Sequence, residues 1–194
     1  RIPRQARIEA EGVSSDVSVK GSEGEAITIN TVSGDLEIEA ATVRMDLNSV
    51  SGDVEFRGSA SRVTAESVSG DVTLIGVEGD VRASPVSGDL SMEAGQVGRG
   101  RFETVSWEMM LELALREDGR LACDSMSGDV QLRLPADQKA DFTAQSYSGT
   151  IRSDFGKSMS VSKGPGSTLN YSDGDSSARI RIETFSGDIS IRSK

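Results

Sequence analysis

Eight carboxylates recur at nearly fixed spacing in this chain: Asp16, Asp35, Asp53, Asp71, Asp89, Glu108, Asp129 and Asp188. Six of them close a Ser-Gly-Asp tripeptide, at Ser33-Gly34-Asp35, Ser51-Gly52-Asp53, Ser69-Gly70-Asp71, Ser87-Gly88-Asp89, Ser127-Gly128-Asp129 and Ser186-Gly187-Asp188. Weakened copies stand at Ser14-Ser15-Asp16, Ser106-Trp107-Glu108 and Ser148-Gly149-Thr150. Brought into one column, such acids have two chemistries open to them. One is Ca²⁺ coordination, with Asp35, Asp53, Asp71 and Asp89 as candidates. The other is capping of turn N–H groups by the side chain. Capping is the preferred reading, because a tight Ca²⁺ site needs six or more converging oxygens. The spacing is also not the short Gly-Asp nonapeptide period of Ca²⁺-binding solenoids. Repulsion between carboxylates ~5 Å apart in water is about 1 kcal/mol, similar to what a side-chain cap contributes, so the column stands without a ligand.

Catalytic chemistry has little to build on. The chain has no histidine, and so lacks the commonest general base and transition-metal ligand. Its many serines have no evident activating partner; Ser160-Val161-Ser162-Lys163 is the nearest approach and falls in an irregular stretch. Acids paired across a surface, as in polysaccharide-cleaving β-helices, are the remaining option. With 4% aromatic residues and short turns, that option is a remote one. A non-enzymatic protein with no catalytic residue and no cofactor is expected. Trp107 replaces a motif glycine and is either folded against the molecule or an exposed recognition residue. Tyr147 and Tyr171 are further candidate interaction residues if the irregular segments lie close to it.

The elements that position these residues follow from counting outward from each motif serine. Successive serines are 19, 18, 18, 18, 19, 21, 21 and 38 residues apart. Three residues after the serine stands Val17, Leu36, Val54, Val72, Leu90, Met109, Val130, Ile151 or Ile189. Five after, the column continues through Val19, Ile38, Phe56, Leu74, Met92, Leu111, Leu132 and Ile191, with Ser153 the exception. Four and six before, it is again apolar almost throughout, from Ile8 and Ala10 to Ile180 and Ile182. The residue just before the serine, from Val13 and Val32 to Tyr147 and Phe185, is apolar too and is read with the core. Alternation of apolar and polar residues within each arm is the period of a half-buried strand. A hydroxyl column two before the serine (Thr31, Ser49, Ser67, Thr104, Ser125, Ser146, Thr184) is expected to hydrogen-bond from coil to coil.

Each repeat therefore reads as strand, Ser-Gly-Asp turn, strand, second turn. One repeat cannot bury its apolar face alone, so neighbours must stack. The fold class is all-β: a single-stranded parallel β-helix (β-solenoid) of about nine to ten coils with 18–21 residues per coil. One domain spans 1–194, with irregular coils at 100–122 and 151–178. Trp107–Arg116, WEMMLELALR, has helical composition, but the repeat register places Met109, Leu111 and Leu113 inward on a strand. Residues 151–178 read as a degenerate coil, with Lys163-Gly164-Pro165-Gly166 in place of the motif turn. The good final copy, Phe185–Arg192, reads as a terminal coil whose parallel edge is open to pairing through Ile189 and Ile191.

Net charge is −10, from 21 Lys+Arg against 31 Asp+Glu. This disfavours nucleic acid and anionic membrane surfaces as partners. No apolar run approaches a membrane span. The single Cys123 forms no internal disulfide and reads as a small buried hydrophobe. The chain begins at Arg1, and any targeting segment is expected to lie outside it. The repeated apolar-Ser-Gly-Asp-(Val/Leu)-x-(Leu/Ile) pattern, from about Ile8 to Arg192, resembles a bacterial family of unknown function labelled adhesin-like, with bactofilin-like β-solenoids as an architectural parallel. The resemblance implies an exported protein, periplasmic or at the cell surface, with no catalytic residues to carry over. Three functions remain open: a binding, adhesion or spacer module for a surface glycan or protein ligand; a scaffold self-associating through a terminal coil; and, remotely, a polysaccharide-active enzyme.

Overall fold

The computed structural model describes residues 7–155, 159–160, 166–174 and 176–194. Its strands are β1 (Arg7–Ser14), β2 (Val17–Ser33), β3 (Leu36–Ser51), β4 (Val54–Ser69), β5 (Val72–Ile75), β6 (Glu78–Ser87), β7 (Leu90–Ser106), β8 (Met109–Ser127), β9 (Val130–Leu134), β10 (Asp141–Ser148), β11 (Ile151–Ser153), β12 (Met159–Ser160), β13 (Ser167–Tyr171), β14 (Arg179–Ser186) and β15 (Ile189–Ser193). All belong to one hydrogen-bonded sheet that winds as a parallel β-solenoid. The helical composition of WEMMLELALR yields to the register: β8 starts at Met109, and Met109, Leu111 and Leu113 are buried. The second turn of each repeat is mostly absorbed into the long strands, and the chain bends there through bulges, for example between Lys20 and Ser22 and between Met92 and Gly95. Among the described residues no helix is long and apolar enough to cross a membrane.

Each coil has a leading arm that ends at its motif serine and a trailing arm that follows the aspartate. Stacked leading arms make one face and trailing arms the other. Strand parity decides what is inside. Positions four and six before the serine and three and five after it meet in a continuous core, with Ile27, Ile29, Leu74 and Phe56 fully buried. Positions two before it, such as Thr31 and Ser67, are buried as well. The residue immediately before the serine is not part of this core. It has the opposite parity and points outward, as Val32, Val50, Val68 and Val86 show by being 44–50% exposed. Its apolar character therefore needs another explanation. The hydroxyls behind it bond from coil to coil only in part: Ser146 donates to the Gly187 carbonyl at 2.8 Å and Thr184 to that of Gly128 at 3.5 Å. Thr31 and Thr104 donate to the carbonyls of Ser33 and Ser106 within their own turns, and the Ser49, Ser67 and Ser125 hydroxyls are buried without a partner.

The motif glycines are required by the approach of one coil to the next. Gly70 has φ 130°, and a Cβ there would lie 2.2 Å from the Gly52 carbonyl oxygen.

Stacking follows sequence order for seven corners, at Ser14, Ser33, Ser51, Ser69, Ser87, Ser106 and Ser127. Then the order breaks. β14 pairs in parallel with β8 on one side and β10 on the other, while β15 lies between β9 and β11. The C-terminal coil is thus inserted beneath the coil of residues 141–153 that precedes it in the chain. This corrects the expectation of an open edge at Ile189 and Ile191: both are fully buried and both strand edges there are filled.

Among the described residues between Asp154 and Ala178 no further parallel coil follows, although a degenerate coil was expected over 151–178. Beyond β11, strands β12 and β13 turn antiparallel, β13 pairing with β10 and β12 with β13. Lys163–Pro165, expected at a degenerate corner, fall outside the described residues. The end of the core is closed by rings: Phe155 stacks on Phe142 at 5.2 Å between centroids, and Tyr171 sits against Phe142 at 6.0 Å.

Candidate functional site

The acid column is a backbone ladder. Oδ1 of Asp16 accepts the N–H of Asp35 at 3.1 Å, and the same bond repeats from Asp53 to Asp35, Asp71 to Asp53 and Asp89 to Asp71 at 2.8–3.0 Å. Asp89 accepts in turn from Glu108. Capping therefore runs between coils rather than within one turn. Among the described residues no three acids or thiols are grouped to hold a metal ion. At Glu108 the longer side chain turns aside to accept from the Gln131 amide, and the ladder resumes from Asp129 to Asp188 to the N–H of Thr150. The Thr150 N–H bond is the main reason the Asp188 carboxyl is held below the usual carboxylate range. Trp107 occupies the glycine position with φ 107° and is 59% exposed.

A different surface carries most of the unexplained chemistry. On the outside of the leading arms, four columns run along the solenoid at seven, five, three and one residues before the serines. Over β6, β7, β8 and β14 the first two columns hold arginines around a groove of about 870 Å³. Arg99, Arg120 and Arg179 are in register on three adjacent coils. Ala122 lies two residues beyond Arg120, in register with Arg101 on one side and Arg181 on the other, and its short side chain leaves the floor of the groove low. The third column is acidic, with Glu103, Asp124 and Glu183 in register. The fourth is apolar and exposed: Val105, Met126, Phe185 and Tyr147 are 43–63% accessible. They rim a second cleft of about 520 Å³, where the rings of Tyr147 and Phe185 lie 6.0 Å apart.

The charges of this face fall into two kinds. Arg101 Nε donates to Glu103 Oε1 at 2.5 Å, and Arg181 donates to Glu183 at 2.7 Å and 3.1 Å. The Glu183 carboxylate raises the Arg181 guanidinium above its ordinary value. Arg82 reaches Glu103 at 3.7 Å. By contrast the side chains of Arg99, Arg120 and Arg179 have neither an ion pair nor a hydrogen bond with any described residue. The face is equipped to hold an anion and, beside it, something apolar.

The sequence profile of the Toastrack DUF4097 family matches residues 4–108 and again residues 86–192, so that nearly all of the chain is covered. The chain belongs to the Toastrack family. Comparison with curated proteins and with solved structures gives no match. The two overlapping Toastrack matches divide near β7, whereas that strand pairs on both sides, through bulges, and contributes to the one core.

Of the residues singled out in this Toastrack chain by sequence, the motif serines, glycines and aspartates form the corners. Trp107, Tyr147 and Tyr171 do not come together: Tyr147 joins Phe185 at the apolar rim, and Tyr171 packs on the end cap. Cys123 is fully buried, and burial, aided by the neighbouring Asp124 charge, pushes its thiol well up. The arginine groove was missed. Counting back seven residues from the nine motif serines gives Arg7, Arg44, Arg62, Arg99, Arg120 and Arg179 at six of them, with Ala26, Asp80 and Asp141 at the others, a signal that was readable. That Arg179 stands next to Arg120 was not readable, because it depends on the inserted coil.

Proposed function

We propose that the protein is a non-enzymatic binding module that holds an extended ligand against the outer face of its leading arms. One observation carries this reading. The arginine groove and the exposed apolar rim are contiguous through Glu183, which lines both, and the same coils build both. Exposed apolar residues recur at every corner of this column although strand parity excludes them from the core, which marks them as a contact surface. Glu103 and Glu183 are each tied to an arginine on their own strand, an arrangement suited to shaping a charged surface rather than to delivering protons. Placement outside the cytoplasm, periplasmic or at the cell surface, belongs to the same reading and is supported by the family resemblance of the Ser-Gly-Asp repeat. End-to-end assembly through the last coil is not proposed, because that coil has no free edge.

The test is affinity electrophoresis of the whole chain in gels containing neutral, acidic or basic polysaccharides. Retardation by at least one of them is expected. Ala122→Glu, which fills the groove, should relieve it, and Thr73→Glu on the opposite face should not. Retardation by none of them would overturn the reading. Release of shortened chains from a retained polysaccharide would make the protein an enzyme instead.

A further inference from the structure

We infer that the groove floored by Ala122 takes a linear acidic glycan, whose repeated oxyanion groups sit on Arg99, Arg120 and Arg179. This deepens the binding-module reading above and rests on it.

The first argument is that these three side chains stand in register without an ion pair to any described residue, in a row that Asp80 and Asp141 close at its two ends beside Arg99 and Arg179. Like charges directly opposite each other in a sheet are destabilising. Most other arginines of the outer surface have a carboxylate partner, as Arg44 has Asp46 and Arg57 has Glu55. Three successive coils placing unpaired guanidiniums in register is the exception, in a chain with ten more negative than positive charges. A guanidinium presents a planar fork that binds carboxylate or sulfate through two parallel hydrogen bonds. The column is thus three forks in a row, open to solvent.

The second argument is spacing. Neighbouring coils are about 4.8 Å apart, close to the length of one sugar ring linked through its opposite ends. A glycan bearing an oxyanion on every residue, or on every second one, lies along the solenoid with its charges in phase with the arginines. The low floor at Ala122 leaves room for the sugar rings between Arg101 and Arg181. Single-stranded nucleic acid also carries repeated oxyanions, but it relies on aromatic platforms for its bases, and no aromatic residue lines this groove. A peptide has no free strand edge to add to here, because every strand of this groove is paired on both sides; laid on the arginine cluster instead, an extended acidic peptide presents same-side carboxylates about 6.6 Å apart, out of step with coils about 4.8 Å apart.

A third point concerns where the site comes from. Arg179 and Arg181 belong to the inserted C-terminal coil, so the groove is complete only when that coil is in place. A bound polyanion therefore also fastens the coil.

The experiment is calorimetric titration with polygalacturonate, dextran sulfate, unmodified dextran and an oligothymidylate. Binding of one or both acidic glycans is expected, tighter than that of dextran, weakening steeply with salt, and absent for monomeric galacturonate. Carboxylate and sulfate sources are told apart by which of the two binds. Arg120→Gln should lower affinity about tenfold, and the triple change of Arg99, Arg120 and Arg179 to Gln should abolish binding. Arg57→Gln on the other face should leave it unchanged. In the absence of glycan, Arg120→Gln should leave the melting temperature unchanged or raise it, which separates lost binding from lost folding. Equal binding of dextran and acidic glycans would sink this inference and leave the binding-module reading intact. Acidic binding indifferent to the triple change, or tighter binding of the oligothymidylate, would also overturn it. If no glycan binds in either assay, both readings fall.

Discussion

The backbone N–H of Asp188 donates to Oδ1 of Asp129 across 2.8 Å, although 59 residues separate the two in the chain. With it, the C-terminal coil takes the place where residues 141–153 would have stacked had the coils followed sequence order. Cysteine pairs read this directly. Gln131, Ser190 and Arg152 occupy one outward column, Ser190 between the other two. The pair Gln131→Cys with Ser190→Cys should oxidise readily. The pair Gln131→Cys with Arg152→Cys should not, because two coil steps, roughly 10 Å, exceed disulfide reach. Efficient closure of the second pair would mean that the coils stack in chain order.

The aspartate ladder makes a prediction about chemistry as well as stability. Asp71→Ala leaves the N–H of Asp89 without its acceptor and should cost about 1 kcal/mol in urea denaturation. Asp71→Asn, which keeps an Oδ1, should recover most of that. If chelator lowers the melting temperature of the unmodified protein by many degrees, or if Asn is as damaging as Ala, the column is a cation site and not a cap.

Gly70→Ala should be far worse than its size suggests. The added methyl meets the Gly52 carbonyl, and the expected loss is roughly 3 kcal/mol or more. Gly21 also has a positive φ, but nothing lies within 4 Å of its absent Cβ, so Gly21→Ala should cost only about 1 kcal/mol. Similar losses at both sites would show that backbone conformation, not the approach of the next coil, is what selects glycine at the corners.

Acid should loosen one part of the molecule first. Asp188 is held below the ordinary carboxylate range mainly by the Thr150 N–H, and Asp154 mainly by the Ser193 N–H. Groups depressed in the folded state stabilise it above their unfolded value, near pH 4, and the contribution is lost as pH falls below that toward their folded values. Both bonds join the coil of β10 and β11 to that of β14 and β15. Hydrogen exchange at Ile151–Ser153 should therefore accelerate as pH falls below about 4 before exchange in β3 and β4 does. Uniform acceleration would refute this local origin. Asp188→Asn should shrink the effect, which is modest because both carboxylates are solvent-exposed.

The winding itself was legible in the chain, because parity and an 18–21-residue spacing leave few alternatives to stacked strands. Parity also held for Met109, Leu111 and Leu113 against their helical composition. The valines before each serine misled because apolar character was read without parity; a strand cannot turn residues one and two before a corner into the same core. The position of β14 and β15 was hidden for a different reason. Phe142, Ala144, Ile180 and Ile182 present the same alternation, so either segment satisfies the core beside Leu121 and Cys123. The antiparallel strands β12 and β13, which pair onto the edge of β10 and not of β14, carry no motif that announces this order. With that order hidden, so was the third arginine of the groove.

Insertion of the last coil also imposes an order on biosynthesis. As the ribosome extends the chain, the coils from β1 to β9 can be laid down one on another as they emerge. The segment of β10 and β11 meets β8 and β9 while its eventual neighbour is still untranslated, and Ser148 can take the place beside Ser127 that Ser186 occupies in the finished molecule. The finished arrangement, with Ser186 beside Ser127, is reachable only once the chain has been translated through Ser193.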